Sequence, residues 1–402
     1  MKQKRVTALL GAGAAIDIGA PSTNQITQKA IRKRQGIFKG EIQYTLKGIY
    51  NVLNKHYRDH TSNFEDIFHT LEMLSSCDAA QGERTVYKFK PSIFAFVNPN
   101  RYFRKYAPFV HLAENDLLFS IAEQISIYDE QFRKTKNSEN EWYSNFWNNS
   151  GLTWDIATLN YDTTIEESLD NYIDGFRKER KCNFSRFYPT QLKRINDKHT
   201  CIHLHGCINY GYTRNIDPNK YIFEDDFHDL YKLDSYKDAR QTWGGRSHSV
   251  TQAGERNYIT PIITGLRKLE KLNVSPYSHY LHFFQDSLLN NSCLLVIGYG
   301  FGDLYLNQLM ERMNIIHGEK KRIVVIGYYP FERYDPRIFG APSIEEYHFI
   351  CRQFRISQLG RKGYFERDKA IISDDNTAML YLDGFKNTVI RHSKEIIDFF
   401  NS

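Results

Sequence analysis

Residues 6–13 read Val-Thr-Ala-Leu-Leu-Gly-Ala-Gly, and this stretch decides the predicted fold. Short runs that are mostly apolar are typical of strands buried on both faces. The two glycines let the chain turn sharply where such a strand ends, and a helix is expected to begin there. Residues 21–23, Pro-Ser-Thr, mark the start of a second helix. The stretch therefore predicts a strand, a glycine turn and helices, the repeating unit of an α/β protein.

The same pattern of a short apolar run followed by a polar or glycine motif returns later in the chain. The later runs are Trp154–Leu159, Cys201–Leu204, Leu294–Ile297 and Ile323–Ile326. Strands of this kind that alternate with helical segments predict an α/β fold with a doubly wound, Rossmann-like parallel sheet. Every polar or glycine motif follows the carboxyl end of a predicted strand, and ligands bind at that edge of an open parallel sheet.

A long stretch between the first two strands has helical periodicity alone, as in Phe64, Ile67, Phe68 and Leu71. We predict three parts, which are a discontinuous catalytic domain (residues 1–35 and 150–330), an all-helical insertion (36–149) and a C-terminal extension (331–402). The extension is predicted to end in the amphipathic helix Phe385–Phe400. Residues 207–257 are predicted to form an irregular excursion.

The composition is that of a globular protein, with 41% hydrophobic and 25% charged residues among 402. The net charge of +6 is small for this length and does not by itself indicate a nucleic-acid partner. The basic run Lys29–Arg34 leaves direct nucleic-acid binding open, although a solvated helix face explains it as well. The aromatic share of 14%, together with the tail helix, favours a homo-oligomer, with a Tyr-rich core as the alternative.

The sequence argues against metal and membrane sites. Six cysteines without a Cys-x-x-Cys pair disfavour a structural zinc site and a disulfide framework, so no metal is expected. No apolar run reaches the roughly 18 residues of a transmembrane helix. The apolar run near the N-terminus is too short for a signal peptide. We therefore expect a cytoplasmic protein with no membrane contact.

Gly11-Ala12-Gly13 is the first candidate ligand motif. Glycines after a strand let the backbone approach a pyrophosphate, and a helix N-terminus behind them offers oriented N–H donors. A tight strand–helix turn also needs glycines for packing, so both explanations stay open. A full dinucleotide fingerprint would have a third glycine where this chain has Ile16. Asp17, Pro21 and Ser22 extend the candidate cofactor-binding segment.

A polar motif follows the second predicted strand, with Thr158 at the strand end and Asn160 and Asp162 beyond it. An amide donates and accepts hydrogen bonds at once, so Asn160 can hold a ribose hydroxyl or a water. The alternative for Asn160 is a helix N-cap or a turn former. Asp162 is expected to steady the loop.

His205 follows the third of these strands and is a candidate proton acceptor, because imidazole titrates near neutral pH. His203 shares its face if the strand is regular, and it is the less favoured candidate. A lone histidine is more often structural. The shared sheet edge with Gly11 and Asn160 favours a functional site.

A second glycine-rich turn contains Gly298, Tyr299 and Gly300 and ends at Asp303. It fits the other half of a dinucleotide. Asp303 either meets ribose hydroxyls or caps the helix that follows, and the sequence does not decide between the two.

These motifs, in this order, resemble the sirtuin family. Gly11-Ala-Gly13 with Gly19-Ala-Pro21-Ser22 looks like its NAD-binding segment. Thr158-Leu-Asn160-Tyr-Asp162 resembles its Thr-x-Asn-x-Asp strand end, and Leu204-His205-Gly206 resembles its catalytic His-Gly. The resemblance covers roughly residues 5–35 and 150–330.

The chain also departs from the sirtuin pattern. Classical sirtuins carry a four-cysteine zinc module after the His-Gly, and here Cys207 stands without partner cysteines. Pro21-Ser-Thr-Asn24 replaces the family's Pro-Asp-Phe-Arg, whose arginine is associated with deacylation. The helical insertion is foreign to classical sirtuins as well. The sequence is more similar to bacterial sirtuin-like antiphage effectors, in particular the stand-alone effectors of sirtuin–HerA (Nezha-type) systems.

This resemblance implies an enzyme that hydrolyses NAD to nicotinamide and ADP-ribose and acts in defence by NAD depletion. It implies Asn160, His205 and Asp162 as catalytic residues, NAD as substrate, and control through a HerA-type ATPase. Two alternatives remain, which are an NAD-dependent protein deacylase and a non-catalytic NAD or ADP-ribose sensor that assembles a larger complex.

Overall fold

The structure is a computed structural model that describes residues 3–32, 46–57, 61–79, 103–194, 198–211, 230–243, 261–265, 268–328 and 368–402. In that part of the chain the main sheet has eight strands. They are β1 (Arg5–Leu10), β2 (Thr153–Thr158), β3 (Tyr172–Ile173), β6 (His199–His203), β9 (Cys293–Ile297), β10 (Arg322–Ile326), β11 (Ile371–Ile372) and β12 (Ala378–Tyr381). A smaller antiparallel sheet contains β4 (Phe176–Lys178), β5 (Phe184–Phe187), β7 (Tyr210–Gly211) and β8 (Tyr231–Leu233).

The helices before β2 are α1 (Gly13–Ile16), α2 (Thr23–Arg32), α3 (Leu46–His56), α4 (Phe64–Ala79), α5 (Phe103–Thr135) and α6 (Glu141–Asn148). Those after it are α7 (Thr164–Ser168), α8 (Tyr236–Thr242), α9 (Lys268–Lys271), α10 (Tyr277–Asn290), α11 (Leu304–His317) and α12 (Phe385–Asn401). Among the described residues between 36 and 149, all regular structure is helical, as predicted for the insertion.

The strand order of the main sheet is β11-β12-β10-β9-β1-β2-β6-β3. Every pair is parallel except β11 with β12. From β1 the chain proceeds outward through β2 and β6 on one side, and from β9 it proceeds through β10 and β12 on the other. The order therefore reverses between β1 and β9, which makes this a topological switch point. The predicted Rossmann-like, doubly wound fold is confirmed.

Both faces of the sheet are covered, because alternate residues of each strand point to opposite sides. In β1, Leu9 belongs to a buried cluster with residues of α3, α4, α5, α10 and α11. Val6 and Ala8 belong to a second cluster on the opposite face, with aromatic residues of α6 and α12. This two-sided burial explains why the central strands read as continuous apolar runs.

The five predicted strands and the tail helix are confirmed, while two regions differ from expectation. Strands β7 and β8 form part of the small sheet inside residues 207–257, where an irregular excursion was predicted. Strand β12 pairs with β10, so the segment predicted as an extension contributes to the main sheet. The run Ala378–Tyr381 is as long as several of the predicted strands and is followed by Asp383-Gly384, so it has the same pattern as they have. The division into domains stays a prediction.

The basic run Lys29–Arg34 is described only in part, since Lys33 and Arg34 lie outside the described residues. Among the helices of the described ranges, none combines the length and the apolar character that crossing a bilayer requires.

Candidate active site at the carboxyl edge of the main sheet

The predicted site residues share one edge because the strands that carry them are paired in register. Leu10 aligns with Thr158 and with Ile297, and Thr158 aligns with His203. Backbone bonds extend this pairing beyond the strand ends, since Leu204 N donates to Thr158 O at 2.9 Å. The residues two positions past this row are Ala12, Asn160, His205 and Tyr299. The structure therefore brings all four predicted motifs to the same edge, next to the switch point.

The two glycine turns pack directly against each other. Gly13 N donates to Gly298 O at 2.9 Å, and a Cβ atom on Gly11 would lie 2.5 Å from that oxygen. Gly298 has φ +58°, and a Cβ there would lie 2.2 Å from Ala14 N. The packing explanation for these glycines is therefore sufficient in itself. Contact with a diphosphate stays a prediction.

The helix expected behind the first turn is one turn long, since α1 covers four residues. Its amide Ala14 N already donates to Gly11 O at 3.0 Å. A helix therefore begins after the turn as predicted, while contact of its N-terminus with a ligand stays a prediction. The next helix, α2, starts with a reciprocal cap in which Ser22 N donates to Gln25 Oε1 at 2.8 Å and Gln25 N donates to Ser22 Oγ at 3.2 Å.

Asp17, predicted to contact the cofactor, has a partner far away in sequence. Lys386 N in the first turn of α12 donates to Asp17 Oδ2 at 2.9 Å. The residue at the N-cap position, Gly384, has no side chain to do this. Asp17 therefore caps the C-terminal helix, and its negative charge interacts favourably with the positive N-terminal end of the helix dipole.

Asn160 is half-buried at the end of β2. Its backbone N donates to Thr158 Oγ1 at 3.0 Å, which fixes the start of the loop. The N-cap of the following helix α7 is Thr163, so the helix-cap alternative for Asn160 is wrong.

Asp162 is buried and holds the beginning of α7 by accepting from Thr164 N at 3.1 Å and from the Thr164 hydroxyl. Burial raises the pKa of its carboxyl. A second buried carboxyl, Asp129 on α5, accepts from Thr163 N and Thr163 Oγ1 at 3.1 and 2.8 Å. These contacts agree with the loop-steadying role, and participation of Asp162 in chemistry stays a prediction.

The two neighbouring histidines have different surroundings. His203 is fully buried, with Nδ1 3.3 Å from Asn160 O and Nε2 3.3 Å from Glu166 Oε1. Lys232 lies on the same carboxylate at 2.7 Å and on Asp174 at 2.6 Å. His203 thus lies beside the buried ion pairs of Lys232 with Glu166 and Asp174.

That network contains a possible set of metal ligands, since ligand atoms of Glu166, Cys201 and His203 all lie within 4.8 Å of one another. Burial opposes ionisation of Glu166, but the Lys232 ammonium and His203 lower its pKa to about 2. Burial also raises the pKa of the Cys201 thiol, so the thiolate that a metal prefers is disfavoured. The Lys232 ammonium already supplies the positive charge that balances Glu166.

His205 is buried, with 5% of its surface exposed. Its Nε2 lies 3.6 Å from Asp303 Oδ2, and no described residue makes a hydrogen bond to this nitrogen. The backbone is held by Ile263 N, which donates to His205 O at 2.7 Å, while Tyr161 Oη donates to Ile263 O at 2.9 Å. A buried polar nitrogen without a hydrogen bond costs free energy, which is a reason to expect a closer contact of Nε2 with the adjacent Asp303 carboxylate.

The charge state of His205 follows from its neighbours. Burial is the largest cause that lowers its pKa, and the Lys268 ammonium lowers it further. Asp303 and Glu65 act in the opposite direction without reversing the shift. The ring is therefore neutral near pH 7 and able to accept a proton.

Asp303 caps the following helix, as one of the two alternatives predicted, while its contact with ribose hydroxyls stays a prediction. Oδ1 accepts from Tyr305 N and Leu306 N at 3.1 and 3.3 Å, which caps α11. Oδ2 faces His205. Burial opposes ionisation of Asp303, but the contact with His205 lowers its pKa overall, so the carboxylate is charged.

The loop that carries Asp303 crosses the sheet edge. Strands β9 and β6 are separated by β1 and β2, a distance of about 14 Å at the usual strand spacing. Because Asp303 still reaches His205, the segment after Gly298 must pass the ends of β1 and β2. The phenol of Tyr299 stabilises this course, since Asp303 N donates to it at 3.0 Å.

Residues 155–347 match the family model of the SIR2-like domain. The match starts inside β2, includes Asn160, His205 and Asp303, and leaves the turn after β1 outside. No protein of curated function matches the chain.

Two solved structures are similar to this chain at low identity. One is described as "Structural Basis for the Mechanism and Regulation of Sir2 Enzymes", with 10% identity, a TM-score of 0.32, and coverage of 100% of this chain and 93% of that chain. The other is described as "The Structural basis of Sirtuin Substrate Affinity", with 11% identity, a TM-score of 0.27, and coverage of 87% and 93%.

Sequence reasoning missed Lys268 and Glu65. They form an ion pair of 2.9 Å between α9 and the insertion helix α4, and both act on the pKa of His205. No local pattern marks either residue, since their relation to His205 exists only in the folded chain.

Proposed function

We propose that this protein hydrolyses NAD at the nicotinamide–ribose bond to give nicotinamide and ADP-ribose. The observation that carries the proposal is the buried imidazole of His205, which is neutral because burial lowers its pKa, at the sheet edge that also presents Asn160. The SIR2-like match over this edge supports NAD as the substrate.

The residues of the edge fit this substrate. The two glycine turns meet at the switch point, where dinucleotides bind in open α/β sheets. Nε2 of the His205 ring faces Asp303 Oδ2 at 3.6 Å, which leaves Nδ1 for the substrate. Asn160 adds an amide, which can hold a ribose hydroxyl and a water with different atoms.

The reaction needs positioning and charge stabilisation more than a strong nucleophile. Departure of nicotinamide leaves positive charge on the ribose, and a water adds to that carbon and loses a proton. The products are nicotinamide, ADP-ribose and one proton. His205 would hydrogen-bond to or deprotonate a ribose hydroxyl, and Asn160 would orient the water or hold the ribose.

The direct test is chromatography of NAD after incubation with the protein alone. We expect nicotinamide and ADP-ribose from the wild type, and a loss of about 100-fold or more in His205→Ala and Asn160→Ala. His205→Gln keeps a polar side chain and guards against misfolding. His282→Ala, at an exposed position on α10, is the matched control.

Other outcomes separate the alternatives. Turnover that requires an acylated lysine peptide would identify a deacylase instead. Tight binding of NAD that stays intact, with no effect of either substitution on the products, would identify a sensor.

The cellular part of the proposal rests on the sirtuin-like resemblance alone. In this proposal the protein is a homo-oligomer that assembles with a HerA-type ATPase and depletes NAD in antiphage defence. The check is the NAD content of infected cells that carry the wild type or His205→Ala, together with co-purification of the two proteins. Equal NAD in both strains would contradict it.

A further inference from the structure

The carboxylate of Asp303 contacts two parts of the site, the start of α11 and the ring of His205. Its Oδ1 is occupied by the first amides of α11, and Oδ2 lies 3.6 Å from His205 Nε2. Both side chains are shielded from water, with 6% and 14% of the side-chain surface exposed. The cap therefore fixes the carboxylate rotamer, and the rotamer points the free oxygen at the ring.

We propose that Asp303 is a positioning residue that holds the proton of His205 on Nε2 and leaves Nδ1 as the atom that accepts a proton from the substrate. This inference rests on the proposed NAD hydrolysis. The gap of 3.6 Å is slightly longer than a hydrogen bond, as catalytic contacts often are before substrate binds, and it closes by a few tenths of an ångström.

The assignment follows from the chemistry of the two groups. A neutral imidazole has one nitrogen that donates and one that accepts, and an ionised carboxylate can only accept. The nitrogen that faces Asp303 must therefore carry the hydrogen. The other nitrogen lies on the far side of the ring carbon between them, so its lone pair points away from Asp303. Asp303 also stabilises the imidazolium that forms when the proton arrives.

The charged groups around His205 come from three elements. They are Asp303 at the start of α11, Lys268 on α9 and Glu65 on α4. Since Glu65 is paired with Lys268 at 2.9 Å, Asp303 is, of these two carboxylates, the one that faces His205.

The test uses Asp303→Asn, because asparagine is as good an N-cap as aspartate and preserves the start of α11. Its amide nitrogen would donate to Nε2 and force the proton onto Nδ1. We expect kcat for NAD hydrolysis to fall by about 100-fold or more with little change in KM or Tm. The acid limb of kcat/KM should move to lower pH, since the carboxylate that raises the pKa of His205 is lost.

Asp303→Ser is the matched control. Serine also caps a helix, but it does not force a tautomer, so the loss in kcat should be smaller than in Asp303→Asn. If Asp303 did no more than cap α11, both variants would have a kcat close to that of the wild type and an unshifted pH profile. That result would overturn the proposal.

A readout without turnover separates this proposal from the NAD hydrolysis itself. In protein with ¹⁵N-labelled histidine, the His205 signal, assigned by its loss in His205→Gln, should report Nε2–H in the wild type and Nδ1–H in Asp303→Asn. A tautomer change in a protein that leaves NAD intact would reject the hydrolase and keep the Asp303–His205 pair. The same tautomer in both proteins would reject the pair whatever the activity.

Discussion

The residues of the sheet edge divide into those that hold the local structure and those that are available for chemistry. Ser22 caps α2, Asp17 caps α12 and Asp162 holds the start of α7. His205 Nε2 has no hydrogen bond from any described residue. Asn160 and His205 therefore stay the proposed reacting centre, with Asp303 as the group that acts on the ring, and a part of Asp162 in the chemistry stays a prediction.

Gly298 is the glycine on which the packing of the two turns depends most. We expect Gly298→Ala to lower the free energy of unfolding by about 2 kcal/mol or more, because a Cβ there would meet backbone at 2.2 Å and φ is +58°. Gly302→Ala is the control, since nothing lies within 4 Å of its Cβ position. Urea denaturation measures both. Equal stability of the two variants would contradict the close approach of the turns.

The C-terminal helix α12 is a core element of the sheet's second face. Phe385 is 2% exposed, and its ring lies edge-on to aromatic rings of α6 at centroid distances of 5.3 to 5.7 Å, those of Trp142, Tyr143 and Phe146. Ile396 and Phe400, further along α12, are fully buried. The aromatic richness of the sequence is thus used, at least here, for packing within the chain.

The helix allows a matched pair of substitutions. Phe385→Ala should destabilise the protein by about 3 to 5 kcal/mol, the usual range for a buried phenylalanine. Ile390→Ala, on the same helix but 61% exposed, should cost little. Thermal or urea unfolding with one probe for the sheet and one for the helix checks this. Similar small losses for both would mean that α12 does not belong to the core.

At the scale of the whole molecule, ion pairs join the helical insertion to the short helix α9 near the candidate site. Glu65 on α4 pairs with Lys268, and Lys271 on the same short helix α9 contacts Glu72 and donates to Thr264 O at 2.8 Å. The neighbouring residue Ile263 binds the backbone of His205. Through these contacts the insertion can affect both the position of the His205 imidazole and its pKa.

Substitution of Lys268 tests this connection. The Lys268 ammonium lowers the pKa of His205, so Lys268→Met should raise that pKa and move the acid limb of kcat/KM to higher pH. The direction is opposite to that expected for Asp303→Asn. Lys55→Met, at an exposed position of α3, removes the same charge and should leave the limb in place. A profile that does not move in Lys268→Met would show that α9 has no electrostatic effect on the ring.

Much of the fold was predictable from the sequence because its signals are local. Apolar runs such as Val6–Leu10 and Leu294–Ile297, with the glycine turns that follow them, depend on neighbours within a few residues. The register of the sheet then follows from burial, and it brings Asn160 and His205 to one edge. The small sheet was missed, because its strands of two to four residues carry a weak pattern and its pairing is between distant segments.

The partners of the polar residues were decided by tertiary structure alone. Asp17 and Lys386 are 369 positions apart, and the chain between them must fold before either can meet the other. The same holds for Asp303 with His205 and for Glu65 with Lys268. The sequence by itself determined which residues stand at the strand ends, since periodicity and turns are short-range. Only the folded chain decided which carboxylate faces the imidazole, because a contact across four strands depends on sheet order and on the course of a loop, and neither is encoded by local spacing.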